Sequence, residues 1–305
     1  LCVSNATSGL FAVALAINLK SAEFITSPFT YGGTVASWLV LDNIPAFADI
    51  EASTLEMNQE RIKSLITKKT KAILAVDSFG IPCDSHKLRG IADEFGLWYI
   101  ADCAQSFGAT RKGLPPNCLA DAVVVSFTAG KVLFAGEGGA VLTNNTALYE
   151  KLIWYSQHPY RQKKELGLSI SNEFAINGRI HPLSAIWANN IFEFSVAKLK
   201  THQEFCFEVI SALNEIGLTI PIEFVSQKIE PTFFKLSAEW KNEFAPKELV
   251  GELSGLDFHV QVGEIPVELL YRQNAFIAQY PALAQRTYLC PEAERQVYKR
   301  FCLLR

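Results

Sequence analysis

Two side chains in this sequence have the type and the setting for covalent chemistry. Lys131 closes the run Val123-Val124-Val125-Ser126-Phe127-Thr128-Ala129-Gly130-Lys131, and Gly136-Glu137-Gly138-Gly139 follows. The β-branched residues predict a buried strand over 122–126, and the small residues after it a turn that carries the lysine inward. A buried ammonium is costly unless the site uses it. One use is a Schiff base to a carbonyl cofactor, because burial lowers the lysine pKa and frees the amine as a nucleophile. Asp102 follows a second apolar run, Leu97-Trp98-Tyr99-Ile100-Ala101. Ligands of open α/β sheets bind at the carboxyl ends of strands, so an acid and a lysine on two such ends can face one cavity. The pair meets the needs of pyridoxal phosphate. The amine takes its aldehyde, and the carboxylate keeps the ring nitrogen protonated so that the ring is an electron sink.

Other residues fit round that pair, each with a plainer alternative. Asn5-Ala6-Thr7-Ser8-Gly9 precedes an apolar helical stretch. Small and hydroxyl residues at a helix N-terminus offer amides and a positive dipole end to a phosphate, and Thr7 or Ser8 would equally serve as an ordinary cap. Beside Asp102 and Lys131 the phosphate cup is the better reading. Tyr31, in Ser27-Pro28-Phe29-Thr30-Tyr31-Gly32-Gly33-Thr34, either stacks on a pyridine ring or packs in the core. Ser126 ends the strand before Lys131. Glu137 is expected to bond backbone amides within the glycine turn, and His158 and His181 to be surface or hydrogen-bonding residues.

The elements that must position these groups alternate up to about residue 145. Helices are expected over 8–19, 34–41, 60–66 and 85–95, the last with Ser85 as its cap. Strands are expected over 23–26, 46–48, 72–76, 97–101, 122–126 and 140–143. Apolar strands separated by helices mean a mostly parallel sheet covered on both faces, an α/β fold. Residues 146–156 read as a helix, 157–178 as a polar irregular loop, and 183–213 as a long helix with a possible break near Ser195. After Gly217, Leu218-Thr219-Ile220 and Thr232-Phe233-Phe234-Lys235-Leu236 are strand signals among helical ones, which predicts a smaller α+β domain. The expected division is 1–188 for the large domain and 189–305 for the small one, with the long helix bridging them.

Bulk properties narrow the class. The 305 residues are 49% hydrophobic and 19% charged, a globular composition. A net charge of −3 gives no electrostatic case for nucleic acid or an anionic membrane. The seven cysteines are odd in number, scattered and never spaced as CxxC, which points to reduced thiols in the cytoplasm rather than disulfides or a metal site. The apolar stretch 10–19 has no basic segment before it and is too short to span a bilayer, so it is read as a buried helix. The sequence does not begin with Met and is expected to lack native N-terminal residues. No GxGxxG follows the first strand, which counts against a dinucleotide-binding fold.

With these residues in hand, the chain resembles the DegT/DnrJ/EryC1/StrS aminotransferases. The match runs in order from Ser4 to Ala188 through Asn5-Ala6-Thr7-Ser8-Gly9-Leu10, Ile25-Thr26-Ser27-Pro28-Phe29-Thr30-Tyr31 and Phe79-Gly80-Ile81-Pro82-Cys83-Asp84. It continues through Ala101-Asp102-Cys103-Ala104-Gln105-Ser106-Phe107-Gly108-Ala109, Ser126 to Lys131, Gly136 to Val141 and Asn177-Gly178-Arg179-Ile180. The resemblance implies pyridoxal-phosphate fold type I with a seven-stranded, mostly parallel sheet. By position, Lys131 matches the cofactor-bearing lysine and Asp102 the partner of the ring nitrogen. Gln105 matches a residue at the ring face or 3′-oxygen, Thr7, Ser8 and Ser126 match phosphate ligands, and Tyr31 matches the stacking aromatic. Asn177 matches an asparagine that reaches the neighbouring subunit's phosphate, which implies a homodimer with shared sites.

The implied activity is ping-pong amino transfer from an amino acid, glutamate or glutamine, to a keto sugar linked to a nucleotide. Two departures stand out: Thr128 and Gly130 replace the His and Thr of the family's usual Ser-Phe-His-x-Thr-Lys. One rival is a sugar dehydratase on the same fold, whose lysine is replaced by His; here Lys131 is kept. Another is a cofactor-binding regulatory or scaffold protein that has lost catalysis, which the two departures motivate.

Overall fold

The computed structural model describes residues 1–215, 224, 228–239, 259–262 and 268–304. Its first half alternates strand and helix: β1 (Cys2–Val3), α1 (Ala6–Ala16), β2 (Glu23–Thr26), α2 (Gly32–Leu39), β3 (Ile44–Phe47), α3 (Gln59–Leu65), β4 (Thr70–Val76), α4 (Ser85–Phe95), β5 (Trp98–Asp102), β6 (Thr110–Arg111), β7 (Ala122–Ser126) and β8 (Gly139–Leu142). Seven of these strands form one sheet in the order β1-β8-β7-β5-β4-β2-β3. From β3 to β7 neighbours run parallel, β8 is antiparallel to β7, and β1 is antiparallel to β8. This is the expected α/β sheet, seven-stranded and mostly parallel.

Strand periodicity explains why the sheet is covered twice. Successive residues point to opposite faces, and Phe24, Leu74 and Ile100 enter one core while Ile25, Ile73 and Tyr99 enter the other. Helices α1 and α2 cover the first face, joined by the Trp38 indole donating to the Leu10 carbonyl at 2.9 Å. Helices α3 and α4 cover the second through Ile62, Leu88 and Ile91. Both faces need apolar residues at every strand position, which is why these strands read as continuous apolar runs.

Several boundaries differ from expectation for local reasons. Asp84, not Ser85, caps α4, its carboxylate accepting from the Lys87 amide at 3.3 Å. After α5 (Thr146–Ser156) the segment read as an irregular loop contains a helix, α6 (Pro159–Leu166). His158 caps it and Pro159 fits its first turn, a start signal hidden by the polar composition. α7 (Pro182–Glu215) is a single helix of 34 residues with no break at Ser195, which is buried within it.

The C-terminal part adds β9 (Ile229–Glu230), which pairs with β6, and the antiparallel sheet β10-β12-β11 from β10 (Leu236–Glu239), β11 (His259–Val262) and β12 (Arg300–Leu304). Helices α8 (Asn274–Gln279), α9 (Pro281–Ala284) and α10 (Pro291–Lys299) accompany it. Of the strand expected over 232–236 only Leu236 is in a strand, because Phe233 takes a left-handed φ of 48°. The strand expected at 218–220 lies outside the described residues. Asp49, just after β3, ties the two parts together by accepting from the amides of Glu292 at 3.0 Å and Ala293 at 2.8 Å in the first turn of α10.

Candidate active site

Asp102 sits at the carboxyl end of β5, near the middle of the sheet, and is buried. One carboxylate oxygen accepts from the Thr34 hydroxyl at 2.7 Å and the other from the Ala104 amide at 3.0 Å. Thr34 is itself paired with Thr30 at 2.8 Å. Burial raises the Asp102 pKa, the Thr34 and Ala104 hydrogen bonds oppose that, and the Lys131 charge opposes it further. Among the described residues no lysine, arginine or histidine forms an ion pair with this carboxylate.

Lys131 hangs from the turn between β7 and β8. Pairing of Ser126 with Gly139, with the Phe127 amide on the Gly138 carbonyl and the Ala135 amide on the Phe127 carbonyl, closes that turn. Gly138 has a φ of 148°, and a Cβ there would meet Ile180 at 2.9 Å, so the loop needs glycine at this point. The Lys131 ammonium lies 4.0 Å from the centre of the Phe234 ring. Burial lowers its pKa, Asp102 raises it, and Lys235 lowers it. Each charge shifts the pKa of the other group, so the acid and the amine lie within electrostatic reach of one another. Lys131 also lines a cavity of about 770 Å³ between α7 and the segment before β10, together with Leu199, His202, Phe205, Phe233 and Phe234.

Around the pair, the other expected residues take distinct positions. At α1 the cap is Asn5, whose side chain accepts from the Ser8 amide while the Ser8 hydroxyl accepts from the Asn5 amide. Ser8 is thus engaged in a capping box and also bonds Ser4, whereas Thr7 is half-buried beside Gly33. Tyr31 is 72% exposed, with its ring against Gly33, so the core-packing alternative does not hold. Ser126 is buried, with its hydroxyl 3.1 Å from that of Thr128. The Gln105 side chain accepts from the Phe79 amide at 2.7 Å, which turns it towards β4. Asn177 is exposed with a φ of 56°, in a loop held to the start of α1 by the Ser4 amide on the Gly178 carbonyl.

Glu137 is exposed, and among the described residues its carboxylate makes none of the expected hydrogen bonds. His158 and His181 each accept a backbone amide two residues on, at the starts of α6 and α7, as hydrogen-bonding surface residues. Sequence reasoning missed Thr34, which holds Asp102, and Phe234 and Lys235, which face Lys131. Thr34 was legible as a hydroxyl in the first turn after Tyr31. Phe234 had no local signal, since it comes to the amine from more than a hundred residues away.

The chain as a whole has known relatives. The model of the DegT/DnrJ/EryC1/StrS aminotransferase family matches residues 1–303. GDP-perosamine synthase of Vibrio cholerae is 35% identical over 152 residues, 50% of this chain and 41% of that protein. UDP-2-acetamido-2-deoxy-3-oxo-D-glucuronate aminotransferase of Pseudomonas aeruginosa is 29% identical over 224 residues, 72% of this chain and 61% of the relative. These matches therefore span less than two thirds of the relatives' length. The aminotransferase of Psychrobacter cryohalolentis superposes with a TM-score of 0.84 over 100% of this chain and 81% of its own, at 23% identity, which shows a shared fold. On the match over nearly its whole length, this chain belongs to the DegT/DnrJ/EryC1/StrS aminotransferase family.

Proposed function

We propose that the protein is a pyridoxal-phosphate aminotransferase that moves an amino group from glutamate or glutamine to a keto sugar, one linked to a nucleotide. The observation that carries this reading is the family match over residues 1–303, joined to a half-buried lysine within electrostatic reach of a buried carboxylate that no cation among the described residues pairs. The residues fit the cofactor. Asp102 is a buried carboxylate in want of a positive partner, which a protonated ring nitrogen would supply. Tyr31 presents an aromatic face beside the helix start where Thr7 lies. Both named relatives act, by their names, on or towards amino sugars of nucleotides, which supports the acceptor class.

When bound, pyridoxal phosphate supplies a carbonyl for the lysine and a ring that spreads negative charge from the carbon undergoing proton loss. Asp102 would keep the ring nitrogen protonated, with its two oxygens fixed by Thr34 and the Ala104 amide. Thr7, Ser8 and Ser126 would bind the phosphate, Tyr31 would orient the ring and Gln105 would stand beside it. Lys131, its pKa lowered by burial, would take a proton from the donor Cα and deliver it to the carbon that was the cofactor's carbonyl. The second half-reaction runs the same proton in reverse on the acceptor.

Three broader features belong to the same reading. A homodimer with shared sites is supported by Phe174 at 96% exposure and by Tyr160, Ile170, Leu183, Ile186 and Trp187, apolar side chains left open beside exposed Asn177. A cytoplasmic location is supported by the free thiols at Cys2, Cys83, Cys103, Cys118, Cys206 and Cys290; no helix among the described residues is long and apolar enough to cross a membrane. We keep a division at 188 into large and small domains, with α7 as the bridge. The test is an absorbance spectrum of purified protein titrated with pyridoxal phosphate and then with candidate amino donors. The expected outcome is a bound-cofactor band that glutamate or glutamine converts to the amine form. A protein that takes up no cofactor would overturn the reading, and one that takes it up but answers to no donor would favour the non-catalytic alternative.

A further inference from the structure

Asp77, the residue after β4, is fully buried, and nothing in the chemistry above uses it. Its carboxylate accepts from the Cys83 amide at 2.9 Å, the Ser106 hydroxyl at 2.6 Å, the Cys103 thiol at 3.3 Å and the Asn117 side-chain amide at 2.9 and 2.8 Å. Asn117 is oriented for this by the Tyr99 hydroxyl, which donates to its oxygen. Burial raises the Asp77 pKa, and these hydrogen bonds oppose it; the N–H groups of Cys83 and Asn117 can only donate, so they favour the ionised carboxylate. Among the described residues none of its partners is a cation. Buried carboxylates are ordinarily paired, so a charge kept here without a counterion calls for a reason.

The place of Asp77 suggests the reason. Val76 is the register partner of Asp102 on the adjacent parallel strand, and the Asp77 amide donates to the Asp102 carbonyl at 3.3 Å. Ser106 and Cys103, two of its donors, bracket the turn that carries Gln105. The titratable groups facing Asp77 are Cys83 before α4, Tyr99 and Asp102 on β5, and Cys103 just after it. Burial keeps both thiols and the Tyr99 hydroxyl protonated, leaving Asp102 as the neighbour whose charge can change. Asp77 also raises the pKa of Asp102, the smallest of the influences on it.

We propose that Asp77 is a positioning residue for the acid end of the site: a second buried carboxylate that fixes Asp102 and the Gln105 turn, and whose charge strengthens proton retention by the couple Asp102 forms with the cofactor's ring nitrogen. The inference rests on the pyridoxal-phosphate reading. Asp77 would act on that couple through space and through the backbone it shares with Asp102, without touching the ring.

The experiment follows the ring nitrogen itself, in holoenzyme loaded with cofactor labelled at that atom with ¹⁵N, titrated with pH. Wild-type protein is expected to keep the protonated-nitrogen shift to the alkaline limit of the measurement. Asp77→Asn keeps the shape and loses the charge, and its nitrogen should lose the proton earlier, by at least about a few tenths of a pH unit. Ser106→Ala loosens the same network but keeps the charge, and should weaken cofactor binding while leaving the nitrogen titration in place. If the two variants behave alike, Asp77 is merely structural and the inference fails. Should Asp77→Asn not fold, infrared spectra of wild-type protein labelled with ¹³C at the aspartate carboxyl carbons decide. Asp77 is expected to be a carboxylate at pH 7, and a neutral acid band that persists when Asp102→Asn protein is measured in the same way would overturn the proposal. Wild-type protein that binds no cofactor would overturn this inference together with the reading beneath it, whereas normal binding with an unshifted variant sinks the inference alone.

Discussion

Asp102 and Lys131 belong to one site but are held in opposite ways. Asp102 is on a strand paired on both sides, its oxygens are fixed by Thr34 and Ala104, and Asp77 backs it with a saturated polar network. Lys131 projects from a glycine-bearing turn, half-buried, and its amine rests on the face of Phe234, a residue from the C-terminal part. The acid only holds a proton and gains from being immobile. In the proposed reaction the amine would join the cofactor, leave it and carry a proton between two carbons, which calls for a soft, reversible resting place. A cation–π contact of about 0.5–2 kcal/mol is of that order.

Replacing each side in turn should separate the two roles. Lys131→Ala is expected to remove the covalent cofactor band and lower turnover by at least about 10⁴-fold, with folding intact, since the turn does not depend on the side chain. Transamination at the normal rate by that variant would refute the assignment. Asp102→Asn should cost on the order of 10²–10⁴-fold in turnover while making the cofactor-free protein more stable. The sign follows from linkage. Burial raises the Asp102 pKa above its unfolded value, so ionising it at neutral pH costs folding stability, and the asparagine is spared that cost. Thermal melts of both apoproteins at pH 5 and pH 8 check it. The variant's advantage should be larger at pH 8, and a lower melting temperature for the variant there would contradict the sign.

A smaller effect is expected at Gly80, which has a φ of 84° and lies where a Cβ would come within 1.9 Å of the Thr232 hydroxyl. That hydroxyl donates to the Gln105 carbonyl at 2.5 Å, and the Thr232 amide donates to the Gly80 carbonyl. Gly80→Ala should destabilise by about 2–4 kcal/mol and loosen the seam joining the Gln105 turn to the segment bearing Phe234. Denaturant unfolding and cofactor affinity measure the two parts, and unchanged affinity would separate that seam from the site. The smallest effect is expected from Lys235→Met. Lys235 lowers the Lys131 pKa, so its loss should move the pH dependence of cofactor attachment in the alkaline direction by a few tenths of a pH unit. A shift towards acid would show that the two ammonium groups do not repel each other in solution.

The acid side was the more legible in the sequence. The run before Asp102 is apolar at every position because both sheet faces are covered, and a carboxylate at the end of such a run stands out against it. The cup at α1 was visible as small and hydroxyl residues. Its division of labour was not, because Asn5 and Ser8 satisfy each other and only coordinates show which hydroxyl is engaged. Helix α6 was missed since its residues are mostly polar and its stripe is weak, so that only the His158-Pro159 start identifies it.

The sequence by itself determined the alternation of strands and helices up to about residue 145 and the covered, mostly parallel sheet, because periodicity and composition are local quantities that burial writes into every segment. Tertiary structure alone decided what surrounds Lys131 and Asp102. Phe234 and Lys235 reach Lys131, and Asp77 comes to lie behind Asp102, through strand register and the path of a distant segment, and a pKa follows the charges and solvent that folding brings near.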